Sequence, residues 1–454
     1  MLYPLFQWHG VGNGMLMAII ATYHILPCHL ATGAFWITFF MERKAYQEND
    51  MDMLEFLKKY SLLILIFCFV TGSLTGAGIW YAATIISPRA ISGLIHNYVW
   101  GWATEWVFFL IEIVTIYTYY YTFEKISPKA HMRIGLIYAM SAWLSMVIIT
   151  GILGFMLTPG KWSQTGGFFD GFFNPSYWPQ LFVRTAFMFV VGGAYAAIVA
   201  SFIKNPHVKE KAMKVAAKWG IGGLVVGGLF TIWYFAKIPA TARGIVFNDL
   251  GFTQTLFKVA IVAGVLLFIY FAVWGFKKGR TAGPIPAIIA LLILFVGICA
   301  GETIREMARR PYLIPNYMLS NQMIDHDMKA KGITSEVAKF NKEGVLKSYY
   351  FAPDSVKKID AGNFMAAGRI LTKLQCISCH TVEKSGFFSI PKLMVKFGAS
   401  SPEDVYDFLD ALGDYSYMPP FVGTEIEKRA TAAYIASLVN PDKKADPAWV
   451  LGSK

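Results

Sequence analysis

Charge is what this 454-residue sequence has least of: Asp, Glu, Lys and Arg together make up 15% of it, against about 25% in a soluble domain. A chain so poor in charge, and 55% hydrophobic, cannot present a water-facing surface all round. A soluble enzyme is therefore excluded, and a polytopic membrane protein is expected. Cysteine is scarce as well, with only Cys28, Cys68, Cys299, Cys376 and Cys379. The first three sit in apolar runs, where a free thiol packs as a small hydrophobe, so no disulfide framework is implied. No internal repeat or low-complexity tract is present. The first fourteen residues are short and aromatic, without the charged and apolar regions of a signal peptide. Acidic residues are outnumbered 29 to 41 by basic ones, giving a net charge of +12. The basic residues cluster in short connections between apolar spans, a topological pattern that excludes nucleic acid as the partner.

Runs of about 20 apolar residues predict eight helices, over 15–41, 60–86, 98–123, 134–157, 178–203, 217–236, 252–276 and 283–301. The connections after the first, third, fifth and seventh hold fifteen Lys and Arg (Arg43, Lys44, Lys58 and Lys59; Lys125, Lys129 and Arg133; five from Lys204 to Lys218; Lys277, Lys278 and Arg280). The alternate connections hold four: Arg89, Lys161, Lys237 and Arg243. Positive charge marks the cytoplasmic side, so the first set is placed inside and, with an even number of spans, both termini outside.

Near the C-terminus the chain reads Cys376-Ile377-Ser378-Cys379-His380, and further on Tyr417-Met418-Pro419-Pro420-Phe421. In C-x-x-C-H the two thiols add to haem vinyl groups and the adjacent imidazole becomes the proximal iron ligand. A thioether such as Met418 can close the sixth position and raise the potential. A structural zinc site would need further Cys or His ligands nearby, and a redox dithiol has no use for the following His. One covalent haem c is therefore expected, on a segment outside the cytoplasm where such haem is attached, which agrees with the charge count. The expected organisation is a transmembrane bundle over 1–302, an irregular external linker over 303–360, and a small α-helical cytochrome c domain over 361–454. In that domain a helix leads into Cys376, a loop carries Met418 and an amphipathic helix over 425–439 closes the fold. The fold class is all-α.

Ionisable residues at membrane depth are costly and are functional candidates by default. His24 and His29 flank Pro27 in the first span; each is either a hydrogen-bonded packing residue or a haem ligand. Glu105 and Glu112, seven apart on the third span, share one helix face, as a satisfied pair or as a proton-conducting file. Glu302, Arg305, Glu306, Arg309 and Arg310 crowd the outer end of the eighth span, where flanking charges can also simply snorkel. His9 and His96 carry no assigned chemistry.

Several of these segments resemble subunit I of the cytochrome bd quinol oxidases. Ala21-Thr22-Tyr23-His24-Ile25-Leu26, followed by Ala31-Thr32-Gly33-Ala34-Phe35, is similar to that family's opening helix, in which the His ligates a high-spin haem. The third span, with Glu105, Phe108-Phe109-Leu110 and Glu112, resembles its carboxylate-bearing proton helix. Ala300-Gly301 through Glu306-Met307-Ala308-Arg309-Arg310-Pro311-Tyr312 resembles its Glu-x-Gly-Arg-Gln-Pro-Trp signature. The resemblance implies His24 and Glu306 as haem-iron ligands, Arg309 as a haem propionate contact, and Glu105 and Glu112 as the proton path. It also implies one or two non-covalent haems of b or d type, and a companion membrane subunit in a hetero-oligomer of the bacterial inner membrane. The departures matter too. Arg184 stands at the position of a haem-ligating His and Ala260 at that of a Met, and the long external quinol loop is reduced to about 237–251.

The leading expectation is a membrane-bound respiratory oxidoreductase passing electrons between an external haem c and membrane haems, reducing dioxygen or another small oxidant with proton uptake. A periplasmic cytochrome or redox protein would be its partner, and the part played by quinone stays open. The alternative is a non-oxidase electron-transfer anchor of a larger respiratory complex, with His29 pairing with His24 or another imidazole around bis-ligated haem. A third reading is a scaffold that has lost its membrane haems and only tethers the cytochrome c.

Overall fold

The computed structural model describes residues 2–443 and 445–452. Eight helices are long and apolar enough to cross a membrane: α1 (Asn13–Glu48), α2 (Met51–Ile86), α3 (Pro88–Thr122), α4 (Pro128–Phe155), α5 (Tyr177–Ser201), α6 (Pro206–Lys237), α7 (Gly251–Lys277) and α8 (Pro284–Ala308). The all-α class and the number of spans are as the sequence predicts; the ends are not. With 36 residues, α1 is roughly 54 Å long at 1.5 Å per residue, longer than a hydrocarbon layer of about 30 Å, so its charged end stands clear of the lipid. The second helix starts nine residues before the apolar run. Asp50 caps it, accepting from the Met53 N–H at 3.0 Å, and Leu54, Phe56 and Leu57 are buried against the bundle. The third also begins early, with Pro88 in its first turn, and its backbone breaks at Tyr98 (φ −127°, ψ 29°), which is where the predicted span began. The eighth continues past 301 to Ala308, bringing Glu302, Arg305 and Glu306 onto regular helix.

Centrally placed, α1 packs against α2, α4, α5 and α8. Its contact with α5 depends on Gly33: a Cβ there would lie 2.1 Å from the Met188 carbonyl oxygen. Helices in lipid gain little from the hydrophobic effect between them, so close approach at small residues is what holds them together.

Beyond α8 the chain forms a hairpin of β1 (Tyr312–Ile314) and β2 (Met318–Leu319), then α9 (Val337–Glu343), α10 (Phe364–Cys376), α11 (Ile390–Lys396), α12 (Pro402–Asp410) and α13 (Glu425–Val439). The stretch expected to be irregular is in fact built onto the bundle. Arg89, at the start of α3, grips Glu336 with two nitrogens at 2.6 and 2.8 Å and the Gln322 carbonyl at 3.0 Å. Farther along, α10 crosses α13 at Gly368, where a Cβ would meet the Ala430 carbonyl at 2.1 Å. Buried Glu427 accepts from the N–H groups of Val345 and Leu346 at 2.9 and 2.8 Å, fastening this domain to the segment before it. The chain start closes the junction. The Phe6 N–H donates to Ile85 O at the end of α2, and Val11 O accepts from Phe387 N–H, so residues 2–12 lace bundle and outer domain together at one end of the molecule.

Replacing Gly33 by Ala is expected to destabilise the bundle by about 1–3 kcal/mol through overpacking. A thermal melt of the detergent-solubilised chain indistinguishable from the parent would contradict the α1–α5 contact.

Candidate functional site

Two groups of the sequence-predicted residues come together, one at the outer end of the bundle and one inside it. In the outer group the last turn of α8 presents Glu306, and the residues just after it present Arg309 and Arg310. All three are buried. Glu306 is ion-paired with Arg309 and lies 3.8 Å from Arg310. Arg309 also directs one nitrogen at the Met156 sulfur at 3.3 Å, while its buried Nε has no partner.

Directly against this cluster sits the Cys-x-x-Cys-His turn. Arg310 Nη1 touches Cys379 Sγ at 2.5 Å. Gly14 in the first turn of α1 makes room, since a Cβ there would lie 3.3 Å from Ser378 O and 3.7 Å from Cys379 Cα. A narrow cleft is lined by Glu306 and Arg310 from the bundle side and by Cys379 and Phe388 from the outer domain.

Backbone geometry orients His380. Phe388 adopts a left-handed conformation (φ 50°), an uncommon one for a bulky residue, and its carbonyl accepts from His380 Nδ1 at 2.9 Å. With Nδ1 protonated, Nε2 keeps a free lone pair, the tautomer an iron ligand needs. Phe387 and Phe388 rest on Phe252 in the first turn of α7, with ring centroids 5.1 and 5.9 Å away. Met418 lies in a loop anchored twice. Ser416 donates to Asp249, just before α7, at 2.6 Å. Gln375, the neighbour of Cys376, donates to Val422 O at 2.8 Å and accepts from Val422 N–H at 3.0 Å. Cys376 and Cys379 are not joined in a disulfide. Burial, reinforced by Cys379, pushes the Cys376 thiol up to about 12. Burial raises Cys379 too, with Arg310 opposing, and burial lowers His380. This donor set fits a covalent haem, and the orphaned Nε of Arg309 fits an anionic group such as a propionate.

The inner group gathers around His24. Its Nδ1 donates to Thr75 Oγ1 at 3.2 Å, leaving Nε2 facing Cys28 Sγ at 3.5 Å. Thr75 follows a π-helical turn over Phe67–Thr71 in α2, a local widening often found at functional sites. At Gly76 a Cβ would come within 3.2 Å of the His24 ring. Glu112, half-buried on α3, lies two turns from Glu105 on the same helix face. Glu105 accepts from Ser145 of α4 at 3.0 Å. His29 donates to Ile25 O of its own helix at 3.1 Å. Five residues from His24, it points about 140° away round the axis, so α1 does not present both rings to one iron. Among the described residues no group of three or more His, Cys, Asp or Glu is arranged to hold a metal ion; a haem takes only one or two axial side chains.

Sequence reasoning missed a third cluster. Glu42 is fully buried, accepting from His131 Nδ1 at 2.6 Å and from the Tyr119 hydroxyl at 2.8 Å, while His131 Nε2 meets Tyr119 O at 2.9 Å. The available signal was spacing, since Tyr119 lies seven residues beyond Glu112 on the same stripe.

Fold and site together define a class: an eight-span membrane helix bundle carrying a small α-helical domain on one end. Among solved structures, the bd oxidase from Geobacillus thermodenitrificans is similar to it, with a TM-score of 0.60 and 17% identity over 72% of this chain and 92% of that one. At that identity the likeness shows the fold. No family model and no curated protein matches the chain.

Two outcomes are expected here. Gln375→Ala removes two hydrogen bonds, about 1–3 kcal/mol, so the outer domain should melt earlier and residues 413–423 should become sensitive to chymotrypsin; unchanged melting and digestion would count against this anchor. In haem-free protein, Cys376 at pH 8 is thiolate in only roughly one molecule in ten thousand. Alkylation followed by mass spectrometry should therefore be slow at pH 8 and speed up as pH rises, and fast labelling at pH 8 would contradict the raised thiol pKa.

Proposed function

We propose that the chain is a subunit of a membrane-bound respiratory oxidoreductase of the bacterial inner membrane. In this reading a haem c on Cys376 and Cys379, with His380 and Met418 as axial groups, exchanges electrons with one or two non-covalent haems, b-type, d-type or both, at His24 and Glu306. The supporting observation is that Cys379 and Glu306, from domains 69 residues apart at the contact with Arg310, line a single cleft. Bound haem would supply one-electron transfer there and, where an iron keeps an open position, reduction of a small oxidant such as dioxygen.

The chain's own residues do the rest. Phe388 fixes the His380 tautomer, and Thr75 does the same for His24. Arg309 offers its free Nε to a propionate while neutralising Glu306. Glu112 and Glu105 hold protons at membrane depth on one helix face, and the Ser145 hydroxyl steadies the second of them. The connection between α6 and α7 is covered by the outer domain through Asp249–Ser416 and Phe252–Phe387, which favours a periplasmic one-electron carrier over quinol as the donor at this face. The domain division is bundle to about 302, connecting segment to about 360 and cytochrome c domain thereafter, with both termini periplasmic. A companion membrane subunit completes the complex.

Pyridine haemochrome analysis of the purified complex should give one haem c per chain plus one or two b or d haems. His24→Ala and Glu306→Ala should each remove non-covalent haem and leave the covalent haem in place. Carbon monoxide difference spectra should show high-spin iron; exclusively low-spin haem would instead favour the electron-transfer anchor. A solitary covalent chromophore sinks the proposal.

A further inference from the structure

One side chain touches both halves of the junction. Arg310 reaches Cys379 Sγ with Nη1 at 2.5 Å and stands 3.8 Å from Glu306 with Nη2, and its side chain is only 6% exposed. Its neighbour Arg309 also contacts Glu306 but turns its other nitrogen to Met156 rather than to the cysteine. The resemblance noted in the sequence has a neutral Gln at the position of Arg310, so the added charge coincides with the added cysteine turn.

We propose that Arg310 is the positioning residue that couples the two redox centres, holding the Cys379 edge of the outer centre against Glu306 while its charge favours the reduced state of that centre. The inference rests on the proposed function. A guanidinium stays protonated throughout, so it contributes a fixed positive charge, and away from water that charge is poorly screened. When the periplasmic carrier gives up one electron, the carrier is oxidised by one unit and the outer centre is reduced by one. The centre's net charge falls by one, and a neighbouring cation stabilises it more strongly after the transfer than before.

The test is a redox titration of the covalent chromophore in the intact complex, for the parent, Arg310→Gln and Arg310→Lys. Arg310→Gln should move the equilibrium about tenfold towards the oxidised state, a potential about 59 mV lower for a one-electron couple. Arg310→Lys keeps the charge and should stay within about twofold of the parent. A purely structural role would not separate the Gln from the Lys variant in this way. Parent-like titration of Arg310→Gln, or an equal shift in Arg310→Lys, overturns the inference. If Arg310→Gln does not accumulate, Arg310→Met takes its place with the same outcomes. Covalent haem with an unmoved potential sinks this inference alone, whereas absence of covalent haem sinks the proposed function.

Discussion

Two guanidinium groups and one carboxylate are buried within a turn and a half at the outer end of α8. Glu306 balances only one of Arg309 and Arg310, so the cluster carries an excess positive charge away from water, a costly arrangement unless an anion or a dipole answers it. The neighbouring Arg305–Glu302 pair, at 2.8 Å, is already neutral and offers nothing further. What the surroundings do supply is cover. The first turn of α1 closes in at Gly14, the cysteine turn lies on top, and the strap over residues 2–12 binds the outer domain down. The remaining demand is for negative charge at the free Nε of Arg309, which, on the proposed function, a cofactor carboxylate would meet. The outer domain therefore covers this cluster, and its own apolar and backbone contacts hold it there.

How much of this the sequence disclosed depends on whether the controlling physics is local. A membrane span satisfies its own backbone, so eight apolar runs were enough to place eight helices. The closing helix over 425–439 was legible because its cap, Thr424 with Glu427 three residues on, is written in consecutive residues. The helix ends were less legible. Once an amphipathic continuation such as 51–59 packs on its neighbours, hydropathy no longer marks where the helix stops. The kink at Tyr98 lies one turn before Gly101, where Tyr98 packs edge-on against Phe155 of α4 and Phe168 beyond it, and no Pro announces it. The contacts that make the site span long sequence distances: Arg310 to Cys379, Ser416 to Asp249 and Glu42 to His131. None carries a periodic signal.

The low identity to the solved bd oxidase fits this division of labour. What keeps such a bundle together is the length of its helices and a few small residues at crossings, Gly33 against Met188 above all, and these constrain composition weakly. Side chains facing the interior can then change while the helices stay in place.

Arg184 is the clearest case of such a change. It occupies the α5 position where the resemblance puts a haem-ligating His, and an arginine cannot coordinate iron. Held at membrane depth, such a charge is costly and needs an answer from its surroundings. Where the resemblance has a long quinol loop, this chain has the short connection against which the outer domain packs through Ser416 and Asp249. On the proposed function the lost ligand and the docked domain are two sides of one rearrangement, because electrons delivered at Cys379 would enter beside Glu306 and would need no centre at Arg184.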